Sequence, residues 1–139
     1  LEGDTKVFDP TTLSDQELIV MQRALNEARF PVMFSDAVIS GAPMLIEWHC
    51  RVIAEMESRP ALKHRERKDL VITHQYLDWH RTSSEHISLI SRCAHEPSRR
   101  AYFLKNGVES IRAHVAPFRI PDEIAEEILA FCRAYEHGA

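Results

Sequence analysis

Apolar residues recur at helical spacing along most of this chain. Leu18, Met21, Leu25 and Ala28 fall on one helix face. Ser14-Asp15-Gln16-Glu17 opens that helix as a capping box: the Ser14 oxygen takes the Glu17 amide and the Glu17 side chain returns to the Ser14 amide. Leu13 and Leu18 occupy the two hydrophobic-staple positions, and Pro31 forces a stop. A second helix begins at Pro43, which suits a first helical position. It carries Ile46, His49, Cys50, Ile53 and Met56 down one face, and Ser58-Arg59-Pro60 ends it. A third starts near Ala61 and runs through Leu70, Ile72, Tyr76, Leu77 and Trp79, with its stripe continuing through Ser83, Ile87, Ile90 and Ala94. Thr82-Ser83-Ser84-Glu85 is again a capping-box pattern, so spacing leaves open one long helix over 61–96 or two.

Pro97-Ser98 opens a further helix, with Leu104, Val108, Ile111 and Val115 on one face and Asn106-Gly107 as an internal C-cap. Pro117 and Pro121 bracket a connector. Asp122 and Glu123 then start the last helix, which shows Ile124, Ile128, Phe131, Cys132 and Tyr135 on one side. Residues 1–13 read as an irregular lead-in. Residues 31–43 hold the strand-favouring Val32, Phe34, Val38 and Ile39 before the turn signal Ser40-Gly41-Ala42-Pro43, which predicts a short β-hairpin or a packed loop. The expected fold is all-α: one domain over 1–139, an irregular bundle of five to six helices.

Composition narrows the function classes. Apolar residues at 45% and charged residues at 27% are ordinary globular values. A net charge of −4 argues against a dedicated nucleic-acid binder, whose footprint is basic. The apolar runs are too short to span a membrane, and no charged-then-apolar leader opens the sequence. Cys50, Cys93 and Cys132 are odd in number, widely spaced and set among apolar residues. They read as free, largely buried thiols, which suits a reducing compartment and a cytoplasmic protein.

Eight histidines raise the question of metals. Neither the Glu-x-x-His nor the His-x-x-x-His spacing occurs. His74 and Asp78, four apart, are a lone pair, so no metal and no cofactor are expected. His49, among Ile46, Val52 and Ile53, reads as a core histidine satisfied by one hydrogen bond. Five basic residues, Arg59, Lys63, Arg65, Arg67 and Lys68, fall within ten positions. They offer contacts to an acidic protein partner.

Two local resemblances add chemistry. Arg81-Thr82-Ser83-Ser84-Glu85-His86 resembles the Arg-x4–6-His motif of the HEPN ribonucleases, small α-helical dimers whose arginine, adjacent polar residue and histidine lie near a helix start at the dimer interface. The resemblance implies a metal-independent ribonuclease using Arg81, Thr82 and His86. The imidazole would move the 2′-hydroxyl proton and the guanidinium would hold the phosphate. Ile111-Arg112-Ala113-His114, followed by Pro117-Phe118 and Ile120, resembles the proximal-histidine corner of globins and implies His114 as a haem ligand in a haem-binding sensor. With nucleophile elbows and phosphate loops missing from the sequence, the leading expectation is a small regulatory or adaptor protein that binds another protein. The broad apolar stripe from Leu70 to Ala94 predicts a two-fold homodimer built partly on that segment.

Overall fold

The computed structural model describes residues 8–31, 42–63 and 77–136. They form an irregular helical bundle of seven helices: α1 (Asp15–Arg29), α2 (Pro43–Ser58), α3 (Pro60–Lys63), α4 (Ser84–His95), α5 (Pro97–Asn106), α6 (Val108–Val115) and α7 (Asp122–Glu136). A 3-10 turn at Pro10–Thr12 precedes α1. The predicted hairpin or packed loop at 31–43 falls almost wholly outside the described residues, as does the stretch joining α3 to Leu77. Among the described residues, no helix is long and apolar enough to cross a membrane.

The helix boundaries follow local chemistry. Both halves of the Ser14/Glu17 capping box form, at 3.1 Å and 2.8 Å. Ser14→Ala leaves the Glu17 amide without its partner and should lower the unfolding free energy by about 1 kcal/mol. Chemical denaturation of the two proteins reads this directly, and an unchanged midpoint would mean the cap carries no weight. Pro43 and Pro97 take first-turn positions in α2 and α5. Gly107 ends α5 and starts α6 with a φ of 76°, in the left-handed region that disfavours side-chain-bearing residues.

The stretch 61–96 is not one helix. Residues 78–83 are non-helical, and an isolated parallel bridge pairs Asp78 with Arg119 through Trp79 N–H to the Arg119 carbonyl (2.9 Å) and Arg119 N–H to the Leu77 carbonyl (2.8 Å). The α4 cap sits one residue later than the expected Thr82: Ser83 accepts the His86 amide at 3.1 Å. Glu85 closes no box: with Ser83 as the cap the third helical position is His86, and the Glu85 carboxylate instead receives the Asn26 side-chain amide from α1 at 2.9 Å.

Two apolar clusters meet at the bridge. The first packs α1, α2 and α3 through Leu18, Ile19, Leu25, Val52, Ile53, Met56 and Leu62, and Leu77 joins it. The second packs α4 to α7 through Leu89, Cys93, Phe103, Ile111, Val115, Ile128 and Cys132, and Trp79 joins it with Phe30 and Phe118. Leu77, at the end of a helical turn, and Trp79, just past the bridge residue Asp78, are separated by this change of backbone conformation and serve one cluster each. All three cysteines are free. Cys93 and Cys132 are buried and hydrogen-bond one another; the bond pushes the Cys93 thiol up, as does burial, and pulls Cys132 down against the opposing effect of burial. Cys50 is only half-buried, less covered than expected, although burial raises its pKa as well.

Candidate functional site

The 78–83 turn builds the corner that holds the three residues of the ribonuclease motif. The Asp78–Arg119 bridge anchors its start, and Ser83 fixes its end by donating its hydroxyl to the His80 carbonyl at 2.9 Å while capping α4. The turn aims Arg81 at α7. Its guanidinium makes a bidentate pair with Glu127, Nε to Oε1 and Nη2 to Oε2, each 2.7 Å, and Glu123 stands 3.5 Å away. Such fork-to-fork pairs fix geometry as well as charge. The pairing raises the Arg81 pKa and lowers that of Glu127. Thr82 is exposed beside it.

His86, one turn into α4, is half-buried against Trp79. The indole N–H donates to His86 Nδ1 at 2.9 Å. An acceptor at Nδ1 puts the neutral ring's proton on Nε2. Burial lowers the His86 pKa; nearby Glu127 opposes that shift and Arg81 reinforces it. Arg81 and His86 thus converge on one carboxylate, beside a cavity of about 540 Å³ that Trp79, His80, Arg119 and Ile124 help to line. In this arrangement the guanidinium edge is already filled by Glu127, and the outward ring nitrogen is a proton donor rather than a base.

His114 lies elsewhere, on α6. Its ring is 8% exposed and stands edge-on to Phe103 at 5.5 Å. Burial, reinforced by Arg99, Arg29 and Arg92, lowers its pKa to about 3, so it is neutral. It forms part of the wall of a cavity of about 320 Å³. That volume is at the lower end of the range for small-molecule sites, which favours a small ligand over a porphyrin.

Of the basic stretch, Arg59 is committed within the protein. It pairs with Asp15 at 3.0 Å and Glu55 at 2.8 Å, and its Nη2 donates to the Thr11 carbonyl at 3.3 Å, clamping the end of α2 to the start of α1. Lys63 closes α3; Arg65, Arg67 and Lys68 lie outside the described residues.

Sequence reasoning missed a buried, heavily used polar residue. Arg29 is 3% exposed. Its Nη1 donates to His49 Nδ1 (2.9 Å) and to the Ala116 carbonyl (2.6 Å), and its Nη2 to the His114 carbonyl (2.5 Å). Guanidinium has no acceptor, so Nδ1 must accept, and the His49 proton sits on Nε2, which is buried and without a hydrogen-bond partner. The expectation that His49 is a core residue with one hydrogen bond holds: it is fully buried. A signal for Arg29 was available. Leu18, Gln22, Leu25 and Arg29 are spaced four, three and four apart, which places two polar residues on the inward face of α1, and both are buried.

Compared with protein-family models, with curated proteins and with solved structures, the chain matches none.

Proposed function

We propose that this protein is a helical regulatory or adaptor module that acts by binding other proteins, and that it does so as a two-fold homodimer. The observation that carries the reading is Ile87. Of the apolar stripe that suggested a dimer, Leu70, Ile72 and Tyr76 lie outside the described residues, Leu77 and Trp79 are in the core, and Ile90 is partly buried. Ile87, one turn into α4, remains 60% exposed. A bulky aliphatic side chain kept outside on the segment that organises the whole C-terminal cluster suits a contact with a second copy. An acidic protein partner would meet Lys63, Arg65, Arg67 and Lys68, since Arg59 is already paired.

Sedimentation equilibrium across a micromolar range tests the dimer. The expected mass is twice the 16.0 kDa of one chain. Ile87→Glu should return it to that of one chain with the helical circular dichroism unchanged. A single-chain mass for the unmodified protein at every concentration would remove the dimer.

A second reading rests on the convergence of Arg81 and His86 at Glu127. A HEPN-like ribonuclease would need Arg81 released from Glu127 to take a phosphate, and a shift of the His86 proton to Nδ1 so that Nε2 acts as base. Cleavage of single-stranded RNA in chelator, lost in His86→Ala, would favour the enzyme over the adaptor.

A further inference from the structure

The cavity in front of His114 holds two polar groups whose hydrogen-bonding capacity the fold leaves unused. It lies between the first turn of α2 and the α5–α6 pair, lined by Pro43, Ile46, Arg99, Tyr102, Ser110, Ala113 and His114. Arg99 Nε is buried and has no hydrogen-bond partner among the described residues. Arg99 has no ion pair among the described residues; its guanidinium packs instead over the rings of Tyr102 (5.9 Å) and Phe103 (5.6 Å). The His114 ring, in a residue nine-tenths buried, makes no hydrogen bond among the described residues; Arg29 reaches its backbone carbonyl, not the ring. Buried polar groups without partners cost free energy, and proteins retain them chiefly where something else satisfies them.

The geometry is prepared rather than accidental. Phe103 is fully buried and carries Arg99 on one contact and the His114 ring on another, so one rigid ring positions both. Ser110 is committed to the Gly107 carbonyl at 2.6 Å and closes the floor without competing for a ligand. The first turn of α2 lines the cavity through Pro43 and Ile46, and its N-cap, Ala42, supplies no side-chain oxygen. Positive charge from Arg99 and a neutral imidazole able to donate a hydrogen bond suit a carboxylate. Pro43, Ile46 and Tyr102 suit an apolar body.

We propose that this cavity binds a small carboxylic acid with an apolar body, the carboxylate meeting Arg99 and His114 and the body lying against Pro43, Ile46 and Tyr102. The site is separate from the Arg81–His86 corner and does not depend on the adaptor reading. Benzoate is the probe, followed by amide chemical shifts and by the thermal unfolding midpoint. Benzoate at millimolar concentration should raise the midpoint and move the Ala113 and His114 amides. Benzamide, the same shape without the charge, and inorganic phosphate, the charge without the body, should do neither. Arg99→Gln should weaken benzoate binding at least tenfold, whereas Arg133→Gln, an equal loss of charge at an exposed position on α7, should leave it unchanged. Ala113→Trp, at an exposed helix position, should block the mouth and abolish binding without touching the core. Silence toward benzoate, equal binding of benzamide or phosphate, or full binding by Arg99→Gln or Ala113→Trp would each overturn the assignment.

Discussion

Lowering the pH from 7 to 5 is expected to remove roughly 4 kcal/mol of folding stability, a large share of the about 5–15 kcal/mol a domain possesses. Two buried neutral histidines set the scale. Burial holds the His49 pKa at about 3, and the neighbouring Arg29 charge pushes the same way. His114 is held at about 3 by burial and by three arginines. In the unfolded chain both titrate near 6.5. Between these values the unfolded state binds more protons than the folded one, so stability is complete above 6.5 and falls as the pH drops toward 3. Well below 6.5, each histidine contributes a loss of about 1.4 kcal/mol per pH unit. His86, also lowered by burial, adds in the same direction. Exposed carboxylates such as Asp9 and Glu127, whose pKa values are lowered, contribute only at more acidic pH, so the two effects separate along the pH axis. Urea unfolding at pH 7 and pH 5 measures the change. Equal stability at the two values would mean that neither ring is excluded from protonation.

Arg29→Met should cost about 3 kcal/mol, the largest loss expected from a single substitution outside the apolar clusters. Methionine keeps much of the packing of the arginine stem but abandons three acceptors at once. The His114 and Ala116 carbonyls lie at the C-terminal end of α6, where carbonyls lack intrahelical partners and the helix dipole is negative. Arg29 supplies both the donors and the positive charge, and so acts as the C-cap of a helix 85 residues further along the chain. Leaving those carbonyls buried and unpaired costs about 1–3 kcal/mol each. Part is returned because a buried cation no longer has to be desolvated; that desolvation lowers the Arg29 pKa to about 10. Arg29→Lys should recover little, because one ammonium cannot reproduce a planar fork reaching His49 and two carbonyls. Equilibrium denaturation of the two variants decides the matter. A loss under about 1 kcal/mol for Met would show that relief of burial cancels the broken bonds.

Helix ends were legible wherever a few neighbouring residues decide them. Ser14 and Glu17 satisfy each other's amides within one turn, Pro43 and Pro97 fit first-turn positions, and Gly107 adopts a φ that L side chains avoid. At Thr82–Glu85 the capping-box pattern pointed to Thr82, but the cap that forms is Ser83. The choice of Ser83 coincided with contacts from afar: Arg119 pins the preceding segment, and Asn26 of α1 takes the Glu85 carboxylate that a capping box would have used. The inward turn of Leu77 and Trp79 into different clusters, the commitment of Arg81 to Glu127, the service of Arg29 to α6 and the meeting of Arg99 with His114 are likewise tertiary. Periodicity records which face of a helix is apolar, because that depends on residues three and four apart. Which partner a long polar side chain reaches depends on what the other helices bring within about 3 Å of its tip, and that is fixed only when the bundle closes.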